Sequence, residues 1–130
     1  MATVIVRDET ATGRALDEFP LPGLPERISA RELVRLRVRE EVARYNAAPS
    51  ARFSGLVRPV DAEVALNGYR MAAVRQIDWE RQADIAERAF ERNAFVLLVG
   101  ERQVEDLAEV IDLTVDPIVS FIKLIPLVGG

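Results

Sequence analysis

Cysteine and histidine are both absent from this 130-residue chain, and of its 17 lysine and arginine residues all but Lys123 are arginine. Without cysteine there are no disulfides, no thiolate nucleophile and no cysteine metal site. Without histidine the commonest general base and transition-metal ligand is missing too. A self-contained active site would have to rest on carboxylate or serine chemistry. The acids, however, stand mainly beside arginines on predicted helix faces, where solvated ion pairs are the usual outcome. Neither an enzyme with its own catalytic centre nor a bound cofactor or metal is expected. A basic field is lacking as well: the net charge is −4, the pI is about 5.0, and the arginines are dispersed among acids. Nucleic acid is therefore not an expected partner. No apolar run approaches the roughly 20 residues that span a bilayer, and Met1 to Asp8 lacks the order of a signal peptide. A cytoplasmic protein without a membrane partner is expected.

What the chain does have is 49% hydrophobic residues, enough for one domain, residues 1–130, with a real core. Thr3 to Asp8 alternates apolar and polar residues. Gly13 punctuates, and Ala15 to Leu21 follows before the cluster Pro20, Pro22, Gly23 and Pro25, which predicts an N-terminal hairpin. Ile28-Ser29-Ala30-Arg31-Glu32-Leu33 carries a helix-start signature: Ser29 caps, Glu32 reaches back, and Ile28 staples onto Leu33. The helix should run from Ala30 to Asn46, with Val34, Val38, Val42 and Tyr45 on the packed stripe and Arg37, Glu40 and Arg44 in water. Between Ala47 and Ile77 the pattern weakens into loop, relieved by a short hairpin, Ala62 to Met71, around Asn67-Gly68. Asp78 caps a second helix ending near Asn93. Trp79, Ala83, Ala86 and Phe90 lie along its stripe, Trp79 as a core anchor, while Glu80, Arg81, Glu87 and Arg88 face away. Phe95 to Val99 and Arg102 to Val104, linked by Gly100-Glu101, predict a further hairpin. After Asp116-Pro117, the run Val119 to Ile125 is apolar on both faces, as a strand in the middle of a sheet would be.

That order of elements, ending in a strand that runs into Gly129-Gly130, resembles the β-grasp fold of ubiquitin and its prokaryotic relatives. The implied fold class is α+β, a mixed sheet packed on a long helix, with an inserted second helix. Phe95 to Val104, then Glu105-Asp106-Leu107, then Asp116-Pro117 and Val119 to Gly130 look closest to the sulfur carriers, namely the small subunit of molybdopterin synthase and the thiamine-pathway carrier. The likeness is looser over residues 1 to 46. Residues 47–94 form an insertion without counterpart in the minimal carriers, and Pro126-Leu127 stands where many of them have two prolines.

What the resemblance implies is that the working group is the chain's own carboxylate at Gly130. Its partners would be a ubiquitin-activating-type adenylating enzyme, a conjugating enzyme, an isopeptidase, and a target protein or sulfur acceptor. The physical requirement agrees: a carboxylate that enters a narrow active site to attack the α-phosphate of ATP needs an extended backbone free of side chains, which Gly129 and Gly130 provide. Residues 126–130 are expected to form an exposed tail. Pro126 stiffens its start, and Leu127 and Val128 anchor it in the partner. The sequence ends at Gly130, so the mature carboxylate is expected to be exposed without proteolysis.

Three functions follow from this tail. The first is a protein modifier joined to target amines. The second is a sulfur carrier that ends in a thiocarboxylate. The third is a noncatalytic adaptor whose apolar tail, Ile125 to Val128, docks into a partner or another copy as a homo-oligomer contact. The extra surface of the second helix favours the modifier, because a tag must be recognised by readers. Lys123 is the single lysine acceptor for self-linkage, so single attachment, or linkage through Lys123 or the N-terminal amine, is expected over long mixed chains. Leu97, Phe121 and Leu124 are candidates for a partner patch on the sheet face away from the helices, the alternative, and the preferred one, being that the inserted segment covers them.

Overall fold

The computed structural model describes residues 1–65 and 68–124. It opens with the predicted hairpin: β1 (Ala2–Thr10) and β2 (Ala15–Leu24) pair antiparallel around a turn in which Gly13 takes a φ of +85°. A three-residue strand, β3 (Arg27–Ser29), leads directly into α1 (Ala30–Ala47). Ser29 is the N-cap, its hydroxyl accepting the Glu32 N–H at 3.1 Å. Ser29→Ala should cost about 1 kcal/mol by freeing that amide, measurable as a lower urea midpoint with an unchanged slope.

The segment after α1 builds a small antiparallel sheet in the order β4-β6-β5 from β4 (Arg52–Phe53), β5 (Ala62–Ala65) and β6 (Gly68–Met71). The hairpin predicted around Asn67-Gly68 is therefore present, although Leu66 and Asn67 lie outside the described residues. The second helix, α2 (Trp79–Glu91), is capped by Asp78, whose carboxylate accepts the Glu80 N–H at 3.1 Å. It stops where Asn93 turns left-handed (φ +60°), with Ala94 N–H on Ala89 O at 2.9 Å and Asn93 N–H on Phe90 O at 3.0 Å. The chain then runs through β7 (Phe95–Val99), β8 (Arg102–Val104), β9 (Val110–Asp112), which pairs with β3, and β10 (Ile118–Lys123).

The fold is α+β. Its main sheet is mixed, in the order β2-β1-β10-β7-β8, with β10 parallel to β1 and antiparallel to β7. The last strand thus occupies the middle, as its two apolar faces predict. Val4, Val6, Leu97, Val99, Val119 and Phe121 meet Leu33, Val34, Val38 and Val42 of α1 in one hydrophobic cluster that continues into Ala83, Ala86 and Phe90 of α2. The two helices are also tied by charge: Arg35 reaches Asp84 at 2.8 Å and Glu87 at 2.5 Å, and Arg31 pairs with Glu87.

Five side chains depart from the sequence expectation. Arg37, expected in water, is buried with 1% exposure. Glu87, expected to face away, turns toward α1 because two arginines hold it there. Trp79 is a half-buried rim residue: it stands in the first turn of α2, under the guanidinium groups of Arg35 at 5.8 Å and Arg39 at 5.3 Å. Leu97 and Phe121 belong to the core and form no outer patch.

Candidate functional site

The site is built from the end of β10. Lys123, the last strand residue, lies opposite Phe95 of β7, and the Leu124 N–H reaches Ala94 O at 3.3 Å. The chain therefore leaves the sheet beside the C-terminal end of α2. The residues predicted to act, Gly130 with Pro126, Leu127, Val128 and Gly129, lie outside the described residues, as does Ile125.

Beneath this exit sits a buried cluster of four charges that sequence inspection missed. Positions 34, 37, 38, 41 and 42 fall on one face of α1, so Arg37 and Glu41 point the same way as the core valines. Asp8 continues the inward set Val4 and Val6 on β1, and Lys123 continues Val119 and Phe121 on β10. Arg37 donates both terminal nitrogens to Asp8, at 2.5 and 2.7 Å, and its Nε to Glu41 at 3.2 Å. Its guanidinium carbon lies 4.5 Å from the centre of the Phe121 ring. Lys123 Nζ is 3.8 Å from Asp8 and donates to Gly55 O at 2.8 Å, while Glu41 Oε1 accepts the Leu56 N–H at 3.1 Å. Gly55 has no room for a side chain, since a Cβ there would come within 2.1 Å of the Phe53 ring and 2.9 Å of Glu41. Two cations and two anions thus cancel, and they fasten the 55–56 loop to the sheet.

The environment shifts Arg37, Glu41 and Lys123, each by a traceable cause. Burial pulls the Arg37 guanidinium down, but the charges of Glu41 and Asp8 and their hydrogen bonds outweigh it and leave it raised. Burial raises Glu41 against the opposing pull of Arg37, the Leu56 amide and Lys123. Burial lowers Lys123, with Asp8 opposing. The Lys123 side chain is 11% exposed and its ammonium is engaged, which bears directly on its availability as an acceptor.

The Glu41 shift fixes the sign of a pH effect. A carboxyl whose folded pKa is raised binds protons more readily when folded, so its contribution to stability is fully present below the unfolded value near 4.5 and is lost as pH rises through the folded value. Glu41→Gln removes this titration. Relative to wild type, the variant's stability should therefore rise as pH climbs above about 4.5, a difference that paired urea titrations at several pH values would record.

Beside Lys123 opens a cleft of about 350 Å³ between the small sheet, α2 and the β7–β10 edge. Leu56, Val57, Val64, Ile85, Ala89 and Phe95 supply apolar wall, and Leu124, 41% exposed, stands at its edge. Tyr69, Arg58 and Arg92 add polar groups. The Tyr69 hydroxyl is pushed up by burial and by Glu41, with Arg58 opposing. The opposite face of the main sheet carries Ile5, Val96, Leu98, Ile118 and Ile122, all half-buried and brought side by side by the strand register. These five, rather than Leu97 and Phe121, form the apolar surface away from the helices.

Among the described residues, no group of three or more acidic side chains is placed to hold a metal ion, and no helix is long and apolar enough to cross a membrane. The chain matches no protein-family model, and it shows no significant similarity to any curated protein or solved structure.

Proposed function

We propose that this chain is a ubiquitin-like modifier of β-grasp architecture, activated at Gly130 by an ATP-dependent partner enzyme and joined to target amines. The observation that supports it is the sheet order: an N-terminal hairpin, a long helix, a second hairpin, and a last strand inserted between the hairpins parallel to β1. From that central strand the sequence continues through Leu124 to Gly129-Gly130. A strand paired on both sides is a rigid base from which to present a tail to a partner.

The proposed chemistry uses the Gly130 carboxylate as nucleophile on the α-phosphate of ATP, releasing pyrophosphate and leaving an acyl adenylate. A partner thiol displaces AMP to give a thioester, and a target amine displaces the thiol to give an amide. The partner supplies the catalysis and this chain supplies the acyl group. Because Lys123 is buried and engaged, attachment of one copy to another is expected at the Met1 amine, whose residue is 93% exposed. The added surface of α2 and the three-stranded sheet favours a tag read by other proteins over a sulfur carrier, which uses the same activation but ends in a thiocarboxylate.

The test is intact mass after incubation of the 130-residue chain with ATP, magnesium and the adenylating enzyme of its source genome, with and without Gly130. A Gly130-dependent adenylate or thioester supports activation, and addition of an amine or of sulfide then separates the two end points. No adduct with an enzyme shown to be active on another carrier would remove both and leave a docking role for the tail.

A further inference from the structure

We propose that the cleft beside β10 binds a small aliphatic monocarboxylate, a free fatty acid of medium chain length, with its hydrocarbon chain on the apolar wall and its carboxylate answered by the arginines that line the opening. This site is independent of the modifier reading, because Arg58, Tyr69 and Arg92 take no part in activation.

Every polar side chain that lines the cleft can donate a hydrogen bond: Arg58, Tyr69, Arg92 and Lys123. No aspartate or glutamate is among the lining residues, although acids outnumber bases in the chain by 21 to 17. Lys123 is already engaged by Gly55 O and Asp8. The side chains of Arg58, Arg92 and Tyr69 are not: none has a hydrogen bond or ion pair among the described residues. Tyr69 is half-buried, and burial together with Glu41 keeps its hydroxyl protonated as a donor. Exposed arginines alone would be ordinary. Here they border an aliphatic wall, and a carboxylate on an aliphatic chain satisfies both at once.

Size sets the length of the ligand. The cleft holds about 350 Å³, at the lower end of small-molecule sites. At roughly 30 Å³ for a water-sized group, that is space for about a dozen such groups, the size of a fatty acid of about eight to ten carbons. The wall is also held in place before any ligand arrives. Glu41 fixes the Leu56 amide at 3.1 Å, Lys123 fixes Gly55 O at 2.8 Å, and the Phe53 ring fills the space above Gly55. A wall already ordered lowers the entropy lost on binding. The outer face of the main sheet, around Ile5, Ile118 and Ile122, is apolar too, but none of these side chains lines the cleft, so it serves as an internal comparison.

Titration of the full chain with hexanoate, octanoate, decanoate and dodecanoate, followed by calorimetry and methyl NMR, tests the site. Affinity is expected to rise about fourfold per added methylene up to decanoate and to level off once the cleft is full. The methyl groups of Val57, Val64, Ile85 and Ala89 should shift in a saturable way, while those of Ile5, Ile118 and Ile122 stay in place. Octanol has the same chain without the charge and should bind at least about tenfold more weakly than octanoate, and octylammonium should not bind.

The double variant Arg58→Gln with Arg92→Gln should weaken decanoate by about tenfold or more. Both side chains are exposed, so the fold is expected to keep its unfolding midpoint. Val64→Asp places an anion on the half-buried wall and should abolish binding by a route that leaves the arginines intact. Absence of heat and of cleft shifts at millimolar decanoate would overturn the proposal. Equal binding of octanol and octanoate, or an unchanged affinity in the double arginine variant, would overturn recognition of the carboxylate. Shifts at Ile5, Ile118 and Ile122 in place of the cleft methyls would assign the binding to adsorption on the outer sheet face and remove the site. None of these measurements involves the adenylating enzyme, so the site and the modifier reading stand or fall separately.

Discussion

Asp8→Ala is expected to lower the unfolding free energy by about 3–5 kcal/mol, the cost of leaving a buried charge without its partner. Arg37 is 1% exposed and stays ionised at any accessible pH. Its two strongest hydrogen bonds both end on Asp8, and the remaining contact to Glu41 is longer at 3.2 Å. Removing the carboxylate turns a neutral group of four into one with a net positive charge, and Lys123 loses a counter-charge at the same time. Denaturant titration should show the loss as a lower midpoint with little change in slope. The double variant Asp8→Leu with Arg37→Met should lose much less than Asp8→Ala alone, because an ion pair exchanged for apolar side chains of similar size is often close to neutral. A loss below about 1 kcal/mol for Asp8→Ala would mean that Arg37 finds another acceptor and that the cluster is not what holds these elements together.

The cluster matters beyond stability because of what it connects. Through Glu41 to the Leu56 amide, and through Lys123 to Gly55 O, it sets the position of the loop whose next residues, Leu56 and Val57, form a wall of the cleft. A chain weakened at Asp8 should therefore also show a disturbed cleft, while the caps at Ser29 and Asp78, which share no hydrogen bond with the cluster, keep their amide protection.

The elements written in local chemistry were legible in the sequence. Ser29 and Asp78 announce the helix starts, Asn93 the end of α2, Gly13 and Gly100 the turns of the two hairpins in the main sheet, and the apolar run around Phe121 a central strand. For Arg37, position decides burial and residue type does not. It falls at the i+3 position from Val34, and Glu41 at i+7, so the stripe itself predicts burial once charge is set aside. Asp8 and Lys123 carried the same signal at period two. The side taken by Leu97 and Phe121 is not legible, for a different reason. Alternation says which residues share a face of a strand, but when both faces are apolar it cannot say which face the helix takes. Trp79 fits its stripe, yet it stands in the first turn of α2, where the packed contact with α1 gives way to the rim and two arginines cover its ring. The cleft was not legible at all. Its walls come from around Leu56, Val64, Ile85, Phe95 and Leu124, and no local pattern links them.

The second large effect is expected at the tail. Gly129→Val should reduce the rate of adenylate formation by about 100-fold or more, because a misplacement of the reacting carboxylate by about 1 Å already costs that much. A branched Cβ narrows the backbone conformations open to residue 129 and widens the segment that must enter the partner's site. Gly129→Ala adds one methyl group and should lose less, while deletion of Gly130 moves the carboxylate back by a full residue and should abolish the step. The unfolding midpoint is expected to move little, since none of these changes alters a side chain of residues 1–124. Leu127→Asp should act differently again. Its side chain is proposed to contribute binding, so it should raise the apparent KM for the partner and leave the rate at saturation largely intact. Rapid-quench measurement of adenylate over a range of partner concentrations separates these cases. Equal rates for wild type and Gly129→Val would mean that the partner does not thread this tail, and the carboxylate chemistry proposed for Gly130 would fall with it.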